Sequence, residues 1–417
     1  MLIPPLNNAP NSFNLNLVRN FSTKTGVLSP LNGDFNEWLC GLIDGEGSFY
    51  INKKTNTTFS FRFEIHLHID DKLLLDYLNK TLGIGKVYVS GDNCTFIVSK
   101  LEEIQAIVDL LSNRPLNSTK YLNFLDFKKA LDLYKNFKMT EDVSSEIMKL
   151  KEKMNSKRTE FEMPYSHKPL ITKHWLLGFV EGEGSFSVRR ESNKFELLFS
   201  LSQSYKDEVL MDAIKEFFEN LSGDDTSDVV KKSLYKPKGI KHKQVIQLVI
   251  TQTNYIKNVL IPFFCSLEWY SKKELDFQDW VTIFKLKERG HHYQEEGLRV
   301  LSDITNQMNN YRLSTNSSDI KVDRDKLLKD VKKLLEGSSN YEIVGDRKII
   351  KSLNRLVGVG KQVNIQLEEQ DGTVVKTFFS VSDCAKFFNA SRTLIYSRIL
   401  KNKPILFGDK YVYIKKN

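Results

Sequence analysis

Trp38-Leu39-Cys40-Gly41-Leu42-Ile43-Asp44-Gly45-Glu46-Gly47-Ser48-Phe49 is followed, 137 residues later, by Trp175-Leu176-Leu177-Gly178-Phe179-Val180-Glu181-Gly182-Glu183-Gly184-Ser185-Phe186. A repeat this long and strict implies two copies of one structural unit in a single chain. Each copy is an apolar run stopped by an acid held between two glycines. Gly41 and Gly45 lie four apart, as do Gly178 and Gly182, so each pair shares one face of a helix. With no side chains on that face, two such helices approach backbone to backbone. If the motif helices pack on each other, Glu46 and Glu183 emerge side by side at helix C-termini, where exposed carbonyls carry partial negative charge.

Two carboxylates beside two negative helix ends call for a counter-ion. Mg²⁺ suits the place, because it takes carboxylate, carbonyl and water oxygens. Bound there, it would activate a water and stabilise a leaving oxygen in phosphodiester hydrolysis. A plain pair of tight C-caps with solvated acids would explain one copy, but it leaves the second as coincidence. Asp44 and Glu181, acidic in both copies, rank below Glu46 and Glu183 as supporting or capping groups. Lys120 and Lys273 are candidates for polarising the scissile phosphate or a hydrolytic water.

The rest of the chain sets bounds. Its 417 residues are 41% hydrophobic, enough for two or three globular domains. No apolar run reaches the ~20 residues that span a bilayer, and no membrane partner is expected. The four cysteines, Cys40, Cys94, Cys265 and Cys384, are far apart and form no CxxC pair, which argues against zinc and against a disulfide scaffold. Residues 321–417 carry 20 Lys+Arg against 11 Asp+Glu, an excess equal to the whole net charge of +9. That segment is therefore expected to meet a polyanion. Residues 1–33 read as a flexible leader or, with Arg19 and few acids, as a transit peptide. Only six alanines, with abundant Lys, Asn, Ile and Phe, point to an AT-rich organelle genome.

The expected organisation is a leader at 1–33, a first unit at 34–137, a linker at 138–169, a second unit at 170–318 and a different module at 319–417. Lys120-Tyr121-Leu122-Asn123-Phe124 is echoed by Lys273-Glu274-Leu275-Asp276-Phe277 at an offset of 153. The second unit is thus longer, and the extra residues are assigned to a hairpin around Lys231–Lys243. The fold class is α+β. Phe59, Phe61, Phe63, Ile65 and Leu67 alternate with Ser60, Arg62, Glu64, His66 and His68, the period of a strand with one buried face. Each unit reads as an antiparallel four-stranded sheet with helices on one face.

The other face carries side chains able to hydrogen-bond base edges. In the first unit these are Ser48, Tyr50, Asn52, Arg62, His66, Lys86 and Tyr88. In the second they are Ser187, Arg189, Lys231, Tyr235, Lys236 and Lys243. Lys232, Lys238 and Lys241 complete six lysines around Tyr235, a composition suited to phosphate contact.

These motifs resemble the LAGLIDADG homing endonucleases, over roughly residues 36–315. The resemblance implies two pseudo-symmetric αββαββα units forming a β-saddle on double-stranded DNA, in a monomer whose motif helices form the central interface. It implies that Glu46 and Glu183 are metal ligands and catalytic carboxylates, that Gly45 and Gly182 offer carbonyls to the metal, and that Lys120 and Lys273 are the basic positions. Cys40 and Leu177 stand where the family usually has alanine, so Leu177 is expected to make the helix packing slightly asymmetric.

In the last segment, Gln362–Leu367 and Thr373–Phe378 read as a β-hairpin around Asp371-Gly372. Ser380 to Leu400 reads as a capped helix, a turn and a second helix. This resembles the small modular helix-turn-helix repeats appended to intron-encoded nucleases. Arg392, Thr393, Tyr396 and Ser397 would face the major groove while Ile395 and Ile399 pack inward.

The expected activity is Mg²⁺-dependent cleavage of a long, non-palindromic DNA site by an intron-encoded fungal mitochondrial enzyme. The rival is an RNA maturase that assists splicing of its group I intron. Retention of both Glu46 and Glu183 favours cleavage.

Overall fold

The computed structural model describes residues 33–191, 194–221, 229–235, 244–317, 322–345, 347–357, 365–378 and 380–416. The leader expected at 1–33 therefore lies outside the described residues except for Gly33, as do Lys236, Lys238, Lys241 and Lys243. The chain divides into two compact units at Gly182/Glu183.

The first unit opens with the motif helix α1 (Gly33–Glu46), then β1 (Gly47–Lys53), β2 (Phe59–His68), α2 (Lys72–Leu82), β3 (Lys86–Ser90), β4 (Asn93–Val98), α3 (Leu101–Asn113) and α4 (Lys120–Asn136). The strands form one antiparallel sheet in the order β1-β2-β4-β3. Phe49, Phe61, Phe63, Ile65, Phe96 and Val98 are buried on one face. Phe127 of α4 meets Phe49 at 5.2 Å and Phe61 at 5.6 Å between ring centroids. Burying each such ring contributes on the order of 2–3 kcal/mol. This core fixes register: a one-residue slip would exchange the aromatic face for the polar one. The linker helix α5 (Glu141–Glu152) starts at Thr140, whose hydroxyl accepts from Val143 N at 3.3 Å, and docks through Ile147 and Leu150. The second motif helix, α6 (Lys173–Glu183), packs on α1.

The second unit repeats the sheet as β5 (Gly184–Glu191), β6 (Lys194–Ser204), β7 (Lys231–Tyr235) and β8 (Val245–Ile250), in the order β5-β6-β8-β7, with α7 (Glu208–Asn220) before β7. The short helices α8 (Thr253–Tyr255) and α9 (Ile261–Cys265) flank a π-helical turn at Ile256–Leu260 and lead into α10 (Lys273–Glu288) and α11 (Glu295–Thr305). Phe186 centres the core, with Phe199 at 5.1 Å, Phe277 at 5.2 Å and Trp280 at 5.4 Å.

Both units close with the same clasp. In the first, Asn155 gives its side-chain amide to Phe49 O at 2.8 Å and its N–H to Asn123 Oδ1 at 3.0 Å, while Arg158 donates to Asn123 at 2.9 Å and to Asp126. In the second, Asn309 reaches Phe186 O at 2.9 Å and Asp276 Oδ1 at 3.0 Å, while Arg312 donates to Asp276 at 2.7 Å and to Asp279. Asn155 and Asn309 both take positive φ, 56° and 53°, which asparagine tolerates better than most residues. The clasp explains the Lys-x-Leu-(Asn/Asp)-Phe echo, because Asn123 and Asp276 are its acceptors. It also satisfies a carbonyl of the edge strands β1 and β5, which have no sheet neighbour on that side.

Beyond residue 318, α12 (Arg324–Glu336) lies against the second unit. Arg324 pairs with Asp279 at 2.7 Å and Arg299 with Asp330 at 2.6 Å. A small antiparallel sheet follows, β9 (Tyr341–Val344), β10 (Arg347–Ile350) and β11 (Arg355–Leu356). A separate core begins at Ile365. There β12 (Ile365–Glu368) and β13 (Val374–Phe378) make the expected hairpin, with a bulge at Leu367/Glu368. Next come α13 (Val381–Phe387), α14 (Arg392–Lys401), β14 (Ile405–Phe407) and β15 (Lys410–Lys416). Ser380 and Ser391 cap the two helices by accepting from Asp383 N and Leu394 N. Ile395 is fully buried in this cluster and Ile399 packs partly against it. The β14–β15 pair, invisible to the sequence reading, completes a sheet ordered β13-β12-β15-β14.

Candidate active site

The two motif helices meet at their glycines. A Cβ on Gly41 would sit 2.0 Å from Trp175 O, and one on Gly178 would sit 2.0 Å from Trp38 O. No side chain fits in either gap. The equal distances correct the expected asymmetry from Leu177. Its counterpart Cys40 turns its thiol toward Arg114 O at 3.7 Å.

The seam ties the motifs crosswise. Trp175 Nε1 donates to Asp44 Oδ2 at 2.8 Å, and Trp38 Nε1 donates to Glu181 Oε2. All four side chains are buried. Asp44 also accepts from Asn117 N at 2.9 Å, Ser118 N at 2.9 Å and the Ser118 hydroxyl at 2.5 Å. Burial pushes the Asp44 carboxyl up, and these donors pull it back part of the way.

Glu46 is the last residue of α1 and Glu183 the last of α6, and both are half-buried. A Cβ on Gly182 would come within 3.2 Å of Glu46 Cγ. Lys120, the first residue of α4, reaches back to the end of α1. Its ammonium donates to Gly45 O at 2.8 Å and Ile43 O at 3.0 Å. The Gly45 carbonyl, expected as a metal ligand, accepts from the Lys120 ammonium. Lys273 opens α10 in the same way, but it donates to Gly184 O at 2.8 Å. The two lysines therefore hold different carbonyls. The donors on offer for a cation are carboxylate and carbonyl oxygens, a hard set that fits Mg²⁺ or Ca²⁺ better than zinc. Among the described residues no three His, Cys, Asp or Glu gather as metal ligands.

The motif helices deliver the chain directly onto the open sheet faces. In the first unit Ser48, Tyr50 and Asn52 of β1 pair across from Glu64, Arg62 and Ser60 of β2, and Tyr88 from Thr95. Arg62 lies over the Tyr50 ring at 5.0 Å and pairs with Glu64 at 3.1 Å. His66 is held by Thr95 Oγ1 at 3.0 Å and Asn93 Oδ1 at 3.2 Å. Lys86, Tyr88, Asn52 and His66 are exposed. In the second unit Ser187, Arg189, Lys231 and Tyr235 fall on one face by register, with Arg189 bonded to Glu196 at 2.9 Å. Lys232 does not belong with them. It points to the helix side and pairs with Asp212 at 2.6 Å and Glu208 at 2.9 Å on α7. Strand alternation requires this: neighbours on a strand face opposite ways. On α14, Arg392, Thr393 and Tyr396 are exposed and Ser397 half-buried.

The sequence profile of the LAGLIDADG endonucleases matches residues 39–131 and 176–284. A probable intron-encoded endonuclease of Dictyostelium citrinum is 30% identical over 188 residues, covering 43% of this chain and 72% of that protein. The chain belongs to the LAGLIDADG endonuclease family. Nucleases of this family need divalent metal ions. A mitochondrial protein of Saccharomyces cerevisiae, uncharacterised, is 26% identical over 392 residues, covering 91% of this chain and 81% of that one. A probable intron-encoded endonuclease of Neurospora crassa is 30% identical over 314 residues, covering 68% of this chain, which spans only 55% of that protein. Among solved structures, the homing endonuclease I-GzeII in complex with its DNA target superposes with a TM-score of 0.56 at 27% identity, covering 66% of this chain and 99% of that one.

The sequence reading missed three parts of this site region. It gave the motif tryptophans no role, although their recurrence at the head of each motif was visible. It missed the clasp, whose signal is Met154-Asn155-x-x-Arg158 against Met308-Asn309-x-x-Arg312, 154 residues apart. It also counted Lys232 among the phosphate-binding lysines.

Proposed function

We propose that this protein is a mitochondrial homing endonuclease that cuts both strands of a long, non-palindromic DNA site with Mg²⁺. The carrying observation is the duplicated helix end: α1 stops at Glu46 and α6 at Glu183, and a lysine ammonium sits on a carbonyl adjoining each acid. Relatives named as intron-encoded endonucleases, and the DNA-bound I-GzeII, favour nuclease chemistry over a purely splicing role. The mitochondrial relative in yeast favours the compartment.

In this reading Glu46 and Glu183 each serve as a metal-holding carboxylate, with Gly182 O and water as further oxygens. The bound ion supplies Lewis acidity and an activated water. Lys120 and Lys273 bring fixed positive charge to the scissile phosphates. Arg62, braced by Tyr50 and Glu64, and His66, braced by Thr95 and Asn93, present preset donors and acceptors to base edges. Ser48, Asn52, Lys86 and Tyr88 extend that face, and Ser187, Arg189, Lys231 and Tyr235 serve the other half. The halves differ in sequence, so the target need not be palindromic. Arg392, Thr393, Tyr396 and Ser397 of α14 lengthen the footprint by entering a major groove. The chain acts as a monomer, since it carries both copies of the motif.

The test uses DNA spanning the uninterrupted form of the host gene, with Mg²⁺ or with EDTA. Double-strand cleavage that requires Mg²⁺ is the expected outcome. Tight binding to the intron RNA with no cleavage of this DNA would overturn the proposal in favour of a maturase.

A further inference from the structure

We infer that Asp44 is a positioning residue that sets Lys120 against the end of α1. This rests on the reading of Glu46 and Lys120 as catalytic. The α4 helix opens without a side-chain cap from Thr119. Asp44, from a different helix, instead holds the turn that leads into α4 by accepting from Asn117 N and Ser118 N. A buried carboxylate at a helix N-terminus is favourable, because the helix dipole is positive there.

From that anchor the chain of contacts closes on itself. The Ser118 hydroxyl donates to Asp44 at 2.5 Å and accepts from Lys120 N at 3.3 Å. The Lys120 ammonium then returns to Gly45 O and Ile43 O, which flank Asp44 in sequence. The last turn of α1 holds no basic residue of its own. Lys120 therefore supplies a cation at the negative end of α1. The fourth donor to Asp44 is the Trp175 indole of the other motif helix. The same carboxylate thus gathers α1, α4 and α6, and it fixes the ammonium one residue before Glu46. Asn in place of Asp would set an amide N–H₂ against two donors at one of the two oxygen positions.

Single-turnover cleavage of the host-gene DNA, DNA affinity in Ca²⁺ and the thermal midpoint are read for Asp44→Asn, Lys120→Met and the double variant. Asp44→Asn is expected to cut about 10- to 100-fold slower, the usual size of a loss behind a reacting group. DNA affinity should stay within about threefold, the pattern of a group that acts on rate and not on binding. The double variant should be no slower than Lys120→Met alone, because the two residues act through one step. Ser118→Ala, a milder cut of the same link, should lose less and should also add nothing beside Lys120→Met. It stands in if Asp44→Asn does not fold. Losses that multiply in the double variant, or parental rates for Asp44→Asn and Ser118→Ala, would overturn the coupling alone. A parental rate for Lys120→Met would remove Lys120 from the chemistry and overturn both readings.

Discussion

Replacing Gly41 with alanine tests the seam on which the catalytic helices are hung. The added Cβ would lie 2.0 Å from Trp175 O and 2.9 Å from Phe179 N, where ordinary contact begins at 3.4 Å. The helices must part locally by about 1.4 Å, because both obstacles are backbone and no rotamer change relieves them. Alanine gains up to about 1 kcal/mol over glycine inside a helix. Overpacking of this kind costs typically 1–3 kcal/mol, and here it lies at the upper end or beyond. Parting the helices also strains the Trp175–Asp44 and Trp38–Glu181 hydrogen bonds. A net loss of about 2 kcal/mol corresponds to a fall of roughly 4–8 °C in Tm for a unit of this size. Calorimetry of Gly41→Ala, Gly178→Ala and Gly33→Ala checks it. Gly178→Ala should match Gly41→Ala, since its contact is equally short. Gly33→Ala meets only Arg114 Nη2, at 3.6 Å, and should leave Tm unchanged. A Tm for Gly41→Ala at or above that of the parent would refute the backbone-to-backbone seam.

Three further outcomes follow from the same geometry. Gly182→Ala meets only the flexible Glu46 side chain, at 3.2 Å; it should change stability by less than about 1 kcal/mol yet slow cleavage about tenfold, since small misplacements at reacting groups are amplified. His292 is buried beside Lys287, His291 and Lys348, and its pKa is pushed down to about 4. The folded chain therefore takes up that proton only near pH 4, while the unfolded chain takes it up near 6.5. Stability should be flat above pH 6.5 and fall through the window below it, by about 3 kcal/mol in all; urea unfolding across pH should show this slope, and His292→Gln should flatten it. Lys231→Ala should weaken DNA binding and lower its salt slope by about one, whereas Lys232→Ala should leave both unchanged; equal effects in a fluorescence titration would contradict the register of β7.

The parts of this fold that were legible in the sequence are those written by periodicity or repetition. The strand faces could be read because Phe59 to His68 alternates without a break. The helix seam could be read because a glycine face has little other use in a helix that also buries Trp38, Leu42 and Ile43. Glu46 and Glu183 stood out because they recur together with that face. Other parts escaped because their signals are sparse. Asn155, Arg158, Asn309 and Arg312 follow no period, and their partners lie 32 to 123 residues away in the chain. The Asp44–Ser118–Lys120 link joins two helices through a turn, which no pattern on either helix announces. Lys232 was misread because composition counts a lysine without asking which face of the strand it occupies. The short strands β9, β10, β11 and β14 offer too few residues for alternation to register.

The central claim is that each motif acid serves the cutting of DNA. The measurement is cleavage of supercoiled plasmid carrying the uninterrupted host-gene sequence, in Mg²⁺, by the parent, Glu46→Gln, Glu183→Gln and the double variant. The parent should give linear DNA. The double variant should give none while still binding DNA in Ca²⁺, and neither single variant should give more than nicked circles. Linear product from the double variant at the parental rate would contradict the claim.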